Sequence, residues 1–269
     1  MPPKYKTVAF DSIGELARLY FSFDMKKAAD DMDTIRAVNN YNGVTERLNM
    51  LIRRCKNLRD QGGDHQGVNV VFIAHEQIEK VYAKGGMITA KGQAPQEPIA
   101  IKGLPDMPGK QTPEEVCRAA DNVFRVRALN GQIIWRAIRE PVGGGGDYWE
   151  AKARFDCKKI NNGFLPVGYN ELFEAAKKAG IELDPAYIWI LYGTIGMEKT
   201  RSLLKFPRPI KIFDLDHGTV VIKREVEALR KQGEVIDIVT DIDVEDTTHY
   251  EKFVSELEAK YELEQFSEG

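Results

Sequence analysis

The sequence predicts an α/β fold, in which a mainly parallel, twisted sheet is flanked by helices. Short apolar runs of strand length alternate along the chain with stretches of helical periodicity, the pattern typical of parallel sheets. No internal repeat, low-complexity tract or linker divides the chain. We therefore expect residues 1–269 to form a single domain, built from the parts 1–160 and 161–269.

The composition is that of a folded protein without strong charge. Apolar residues make up 43% of the chain and charged residues 29%, with a net charge of −3. No apolar run approaches the roughly 20 residues of a membrane span, and residues 1–6 lead into a strand-like run without a signal peptide's apolar stretch. Three widely spaced cysteines predict neither a disulfide scaffold nor a zinc site. We expect a cytoplasmic protein that contacts no membrane and in which any nucleic-acid contact is local.

A phosphate-loop spacing lies late in the chain. An apolar run ends at Gly193, and a helical pattern begins at Lys199-Thr200. The segment between them matches G-x-x-x-x-G-K-T except at Glu198, which replaces the second glycine. Such loops bind an anion with backbone N–H groups and a helix N-terminus, while the lysine adds charge and the threonine ligates Mg²⁺. The spacing predicts nucleotide binding. The carboxylate predicts weakened hydrolysis, because it crowds and repels phosphate unless it turns outward towards Arg201 or Lys205.

Two other apolar runs end in carboxylates. Residues 5–11 end at Asp11, and residues 209–216 end with Asp214 and Asp216. A buried parallel strand delivers such side chains to the carboxyl edge of a sheet. Asp11 is a candidate metal-associated carboxylate, and Asp216, with Asp214 one alternation away, is a candidate for activating water. As an alternative, Asp11 caps the helix that follows it.

A histidine and a lysine-dotted segment are further candidates. The apolar run 69–75 ends at His75, which either is satisfied by backbone groups or senses a bound phosphate. Residues 84–112 predict a long loop, which is uncommon unless it is functional or disordered. Its lysines suit contact with a phosphate backbone, although a merely solvated loop explains them equally well. The candidate DNA-binding residues are Lys84, Lys91, Lys102 and Lys110.

A hairpin and an edge strand are predicted next. Residues 122–127 and 132–138 flank an Asn130-Gly131 turn, which predicts a β-hairpin. Residues 148–155 alternate like an edge strand, with Lys152 and Arg154 on one face. Two such cations are usually solvated, and they become functional only where this face meets a neighbour's nucleotide. Helices are predicted at 44–58, 168–183, 219–232 and, in the acidic tail, 247–266, and a further strand at 234–239.

In combination, these motifs resemble the core motifs of RecA-like ATPases. The resemblance is closest to the phage RecA-like AAA-type ATPases of single-strand annealing and recombination. In that family the phosphate loop is followed by an acidic strand, the Walker B strand, the sensor strand and a hairpin. Reading 187–269 and then 1–160 restores this order, which implies a circularly permuted RecA-like P-loop NTPase core with an added hairpin and edge-strand region. The motifs that carry it are residues 192–200, 212–218, 7–16 and 70–75.

The resemblance implies an ATPase with a degenerate Walker A motif and with ATP and Mg²⁺ as cofactors. Asp11 and Thr200 would lie at Mg²⁺, Asp216 would activate water and His75 would be the sensor. Lys152 and Arg154 would reach the γ-phosphate of a neighbouring subunit. Nucleotide contacts would come from Gly193, Thr194, Ile195, Gly196, Met197, Glu198, Lys199, Thr200 and Arg201.

The implied partners are single-stranded DNA and further copies of the chain, with a single-strand-binding protein as another candidate. The implied location is the cytoplasm of a host cell. Two alternatives remain open from the residues themselves. One is a catalytically inactive DNA-binding or assembly module, and the other is a P-loop enzyme that acts on a small molecule.

Overall fold

A computed structural model describes most of the chain. The described residues are 5–30, 34–60, 67–81, 100–109, 111–141 and 148–240. The predicted tail helix at 247–266 and the candidate residues Lys84, Lys91 and Lys110 lie outside them. Within these ranges, no helix is long and apolar enough to cross a membrane.

Strands and helices alternate over residues 169–239, as predicted, whereas the described part of residues 122–165 contains several strands in succession. The helices are α1 (Ile13–Asp30), α2 (Thr34–Asp60), α3 (Thr112–Ala119), α4 (Tyr169–Lys178), α5 (Lys199–Leu203) and α6 (Lys223–Lys231). Short 3-10 turns cover Cys157–Lys159, Asn161–Gly163 and Gly218–Ile222. The strands are β1 (Thr7–Asp11), β2 (Asn69–Val81), β3 (Ala100–Pro105), β4 (Asn122–Leu129), β5 (Gln132–Arg136), β6 (Glu140–Pro141), β7 (Tyr148–Trp149), β8 (Phe164–Leu165), β9 (Ile188–Gly193), β10 (Ile210–Asp214) and β11 (Ile236–Val239).

The main sheet has the strand order β11-β10-β1-β2-β9-β4-β5-β8. The pairs from β11 to β4 are all parallel, whereas β4–β5 and β5–β8 are antiparallel. The mainly parallel α/β sheet is therefore confirmed. Strand β9, which leads into the phosphate loop, lies between β2 and β4, so strands from the late and early parts of the chain interleave in one sheet.

Both faces of β9 are buried, which explains the unbroken apolar sequence of this strand. Ile190 and Tyr192 pack in the core that also contains Leu16 of α1 and Val116 of α3. Trp189 and its alternating neighbours pack on the opposite face. That second core contains side chains from α4, α5 and α6, namely Leu172, Leu203 and Val226. Helices thus cover the sheet on both sides, as predicted.

The predicted hairpin is confirmed, with Asn130 and Gly131 at φ +50° and +78° between β4 and β5. The predicted edge strand at 148–155 is wrong. Only Tyr148–Trp149 pairs as a strand, and Lys152 makes an isolated bridge to Val123. The cause is the path of this segment, which crosses from β3 to the start of β4 and therefore forms no continuous ladder.

The described part of the predicted loop at 84–112 is also different from the prediction. Residues 100–105 form β3, which pairs with the distal half of β2, and α3 begins at Thr112. Strand β2 continues past His75 to Val81, beyond the parallel sheet, and offers β3 an edge. At Gly103 a Cβ atom would lie 1.6 Å from the Trp149 ring, so only glycine permits this packing.

Candidate functional site

The phosphate loop connects β9 to α5 at the carboxyl edge of the parallel strands. At Gly193 a Cβ atom would lie 2.4 Å from the Val126 carbonyl oxygen, so the start of the loop requires glycine. Gly196 has φ +84°, which also favours glycine. Thr194, Ile195 and Gly196 are exposed. The backbone of the loop is therefore open to a ligand from solvent.

Lys199 lies buried against its own loop. Its side-chain nitrogen donates hydrogen bonds to the carbonyl oxygens of Gly193 at 2.9 Å and Thr194 at 2.8 Å. Burial lowers the pKa of Lys199, and the nearby Asp11 opposes that shift. The ammonium group is thus already held at the loop, where it would meet a bound anion.

Asp11 faces the phosphate loop across the intervening strand β2. The Thr200 hydroxyl donates a hydrogen bond of 2.6 Å to Oδ2 of Asp11. The cap of α1 is instead Ser12, whose Oγ accepts a hydrogen bond from the Glu15 backbone N–H at 3.2 Å. The alternative that Asp11 is merely a helix cap is therefore wrong. The peptide bond between Asp11 and Ser12 is cis.

Three carboxylates converge beside Thr200. One oxygen from each of Asp11, Asp214 and Asp216 lies within 4.8 Å of the others. Asp11 is 2% exposed, and this burial raises its pKa to about 7, with Thr200 opposing the shift and Asp216 and Asp214 adding to it. The Thr200 hydroxyl and the three carboxylates supply oxygen atoms, which are the hard ligands that Mg²⁺ prefers.

Gly218 leaves room for an ion among these oxygens. A Cβ atom there would lie 2.9 Å from Oδ1 of Asp216, 3.1 Å from Oδ2 of Asp11 and 3.3 Å from the Thr200 hydroxyl. Oδ1 of the fully buried Asp214 has no hydrogen-bond partner within the described residues. The residues present therefore fit Mg²⁺, which Thr200 and Asp11 would hold with the other two acids beside them.

His75 lies next to this cluster. Its Nε2 is 3.8 Å from Oδ2 of Asp216, while its buried Nδ1 has no hydrogen-bond partner among the described residues. Backbone groups therefore do not satisfy this side chain. Burial, with the charge of Lys199 as a second cause, lowers the pKa of His75 and favours the neutral imidazole.

Glu198, the departure from the loop pattern, turns away from the lysine. Its φ of +52° and ψ of +27° are left-handed, the conformation in which the pattern has glycine. Its carboxylate pairs with Arg201, whose guanidinium also lies 3.0 Å from Glu225. Lys205 instead donates to the Val167 carbonyl at 2.9 Å. The outward turn towards Arg201 is thus observed.

Lys152 and Arg154 lie at the opposite edge of the sheet. Lys152 bridges Val123 at the start of β4, and its side chain donates to the Arg118 carbonyl at 2.9 Å. Arg154 pairs with Asp121 at 3.2 Å, and Asp121 also accepts from the first residue of β9. Arg154 is therefore level with the start of β9, remote from the phosphate loop, and Lys152 bridges a residue that is in register with Ile190 in the middle of β9.

The structure brings most of the sequence-predicted residues together. Asp11, Asp216, His75, Lys199 and Thr200 lie at one edge of the sheet, whereas Lys102 lies in β3 and pairs with Glu114. Sequence reasoning missed Gly218 and gave Asp214 only as a substitute for Asp216. The signal for both was the sequence Asp-Leu-Asp-His-Gly after a buried strand, because a glycine following two acids permits close approach.

Comparison with known proteins gives one finding. Residues 2–133 match the family model described as the AAA domain. This match indicates an ATPase-type P-loop domain and includes Asp11 and His75, while the loop from Gly193 to Thr200 lies outside it. No curated protein and no solved structure matches the chain.

Proposed function

We propose that this chain is an ATP- and Mg²⁺-binding ATPase with a RecA-like, circularly permuted core. The observation that carries the proposal is the convergence at one sheet edge of a glycine-containing loop, a buried lysine and the Thr200–Asp11 hydrogen bond. These groups come from segments almost 190 residues apart. An arrangement that combines an anion-binding loop with carboxylates for a metal suits a nucleotide triphosphate better than a simple anion.

Each residue has a defined task in this proposal. The loop N–H groups and Lys199 bind the phosphates, and Thr200 with Asp11 holds Mg²⁺, which neutralises phosphate charge when bound. Asp216 orients and deprotonates the attacking water. His75, neutral and adjacent to Asp216, responds to the presence of the terminal phosphate.

The permutation is supported by the positions of the strands. Along the sheet, β9 is followed on one side by the sensor strand β2, the Walker B strand β1 and the acidic strand β10. These strands carry the motifs whose chain order resembles the RecA-like order only when 187–269 is placed before 1–160. Because β9 lies between β2 and β4, the late segment completes the sheet of the early one.

We further propose that the protein binds single-stranded DNA and acts as a homo-oligomer in phage recombination, in the cytoplasm of the host cell. Lys152 and Arg154 lie at the sheet edge remote from their own loop, so a phosphate contact by them requires a second subunit. Lys102 is paired with Glu114, so a DNA contact by it requires exchange of that partner. A single-strand-binding protein remains a proposed partner on the resemblance alone.

A second function, a catalytically inactive DNA-binding or assembly module, is favoured by two observations. Lys199 already satisfies its ammonium group with two loop carbonyls, and Glu198 adds negative charge one residue away. Both features raise the cost of placing a triphosphate in a reactive position.

ATP binding and hydrolysis, measured with and without single-stranded DNA, test the proposal. We expect Mg²⁺-dependent ATP binding, DNA-stimulated hydrolysis and loss of both in Lys199→Ala. Asp216→Asn should bind ATP but not hydrolyse it. Failure of the wild type to bind ATP with Mg²⁺ would refute the proposal, whereas hydrolysis only in Glu198→Gly would establish the inactive module. For DNA, affinity should fall steeply with salt concentration.

A further inference from the structure

A cavity of about 630 Å³ adjoins the phosphate loop on the side of the β5–β8 strands. We call it the β5–α5 cavity. Part of its lining is apolar and includes Ile134, Phe164 and Val167; we call this part the apolar wall. Another part is charged and includes Glu198, Arg201 and Lys205; we call it the polar wall. Its volume is in the range of sites that enclose small organic ligands, roughly 300–1,000 Å³.

The polar wall is a direct continuation of the phosphate loop. Glu198 immediately precedes Lys199, and Arg201 immediately follows Thr200. A ligand whose phosphates lie on the loop can therefore extend its remaining part into this cavity. The lining, partly apolar and partly charged, suits a group with a flat apolar face and a hydroxylated part.

Glu198 keeps hydrogen-bonding capacity at the cavity. Arg201 divides its guanidinium between Glu198 and Glu225, so one cation serves two carboxylates. An ionised carboxylate has about four acceptor positions, and the pairing with Arg201 leaves some of them available. The Glu198 side chain is 47% exposed, so a ligand can reach it. Carboxylates recognise the ribose hydroxyls of dinucleotides in the same chemical manner.

We propose that the β5–α5 cavity receives the nucleoside part of the bound nucleotide and that Glu198 accepts hydrogen bonds from its ribose hydroxyls. This inference rests on the proposed function. The base lies against the apolar wall, while Arg201 holds the Glu198 carboxylate towards the sugar. Glu198 is then a specificity residue for ribonucleotides. This role explains why the loop has glutamate where the phosphate-loop pattern has glycine.

The test compares the binding of ATP, 2′,3′-dideoxy-ATP and inorganic tripolyphosphate, all with Mg²⁺. Hydrogen bonds to a charged group are stronger than those between neutral groups, so the wild type should prefer ATP over the dideoxy analogue by about tenfold or more. In Glu198→Gly, in which the left-handed backbone is unstrained, this preference should fall to within about twofold. Glu182→Ala, at an exposed residue ahead of β9, is the matched control and should keep the preference.

A second variant addresses the apolar wall. Val167→Trp fills the cavity and should weaken ATP binding about tenfold or more while leaving tripolyphosphate binding unchanged. Equal affinities of the wild type for ATP and the dideoxy analogue, or an unchanged preference for ATP in Glu198→Gly, would overturn the inference while leaving the proposed function intact. Absence of binding by all three ligands would overturn the proposed function and the inference with it.

Discussion

Asp11 should make the stability of the ligand-free protein depend on pH in an unusual direction. Its pKa is raised from 3.8 to about 7, chiefly by burial. The folded state therefore holds this proton more tightly than the unfolded state does. The contribution of Asp11 to the free energy of unfolding consequently falls as pH rises from about 4 to about 7, because over this range the unfolded state has already released the proton that the folded state still holds. Above about pH 7 both states have released it, and the contribution is constant.

The magnitude follows from the size of the shift. A difference of about 3 pH units at about 1.36 kcal/mol per unit corresponds to roughly 4 kcal/mol. The substitution Asp11→Asn removes the charge but retains an oxygen that can accept from Thr200. At pH 8 it should therefore stabilise the ligand-free protein by up to about 4 kcal/mol, and at pH 4 it should have almost no effect.

Urea unfolding between pH 4 and pH 8.5, in the presence of a chelator, measures this difference. The free energy of unfolding of the wild type is subtracted from that of Asp11→Asn at each pH, which cancels the titration of other groups. Asp156→Asn, at an exposed carboxylate outside the cluster, is the control for the substitution itself. If the difference in the free energy of unfolding between Asp11→Asn and the wild type did not change with pH, or if Asp11→Asn were less stable than the wild type at pH 8, the reasoning would be refuted. Added Mg²⁺ should stabilise the wild type more than the variant.

Three other substitutions have distinct expected results. Gly218→Ala should weaken Mg²⁺-dependent ATP binding without comparable loss of stability, since its Cβ would crowd three oxygens; unchanged affinity in a titration at fixed ATP would contradict this. Glu198→Gly should be about 1 kcal/mol more stable to urea than Glu198→Ala, because both lose the ion pair but only glycine tolerates φ +52° without strain. Asp121→Ala should cost about 1–3 kcal/mol, because the buried Ile188 N–H loses its acceptor and Arg59, which keeps Asp60, loses its 2.6 Å partner; removing Arg59 as well should recover only part of that loss in a double-mutant cycle.

The sequence was most informative where a strand is buried on both faces. The apolar runs before Gly193 and Asp11 predicted parallel strands, and their terminal residues predicted which side chains meet at the carboxyl edge. That inference works because parallel strands all deliver their ends to one edge, so the site follows from the sheet. The pairing of Thr200 with Asp11 is its direct result.

Prediction was poorer where pairing depends on distant partners. The distal half of β2 contains Glu76, Gln77 and Glu79, and these polar residues conceal a strand that, in the described part of the chain, pairs with β3. Residues 148–155 alternate like a strand, yet their path connects two strands and joins neither for long. Local periodicity cannot show either outcome, since both depend on where another segment lies.

The alternatives at single residues were resolved by side-chain contacts. The question whether Asp11 caps α1 was settled by Ser12, because the Ser12 hydroxyl accepts the capping hydrogen bond. The direction of Glu198 depended on Arg201, three residues later, and on the left-handed backbone that no propensity predicts for glutamate. These features are local in sequence but are fixed by the tertiary position of the loop.

The central position of β9 has a consequence for how the protein is made. A ribosome produces β1, β2 and β4 long before it reaches Ile188–Gly193. Until then the facing edges of β2 and β4 have no partner, and unpaired edges invite association with other chains. The sheet can close only when the late strand inserts between them, which requires contacts of high sequence separation and favours slow folding. Newly synthesised chains should therefore depend on protection of these edges during the interval before β9 emerges.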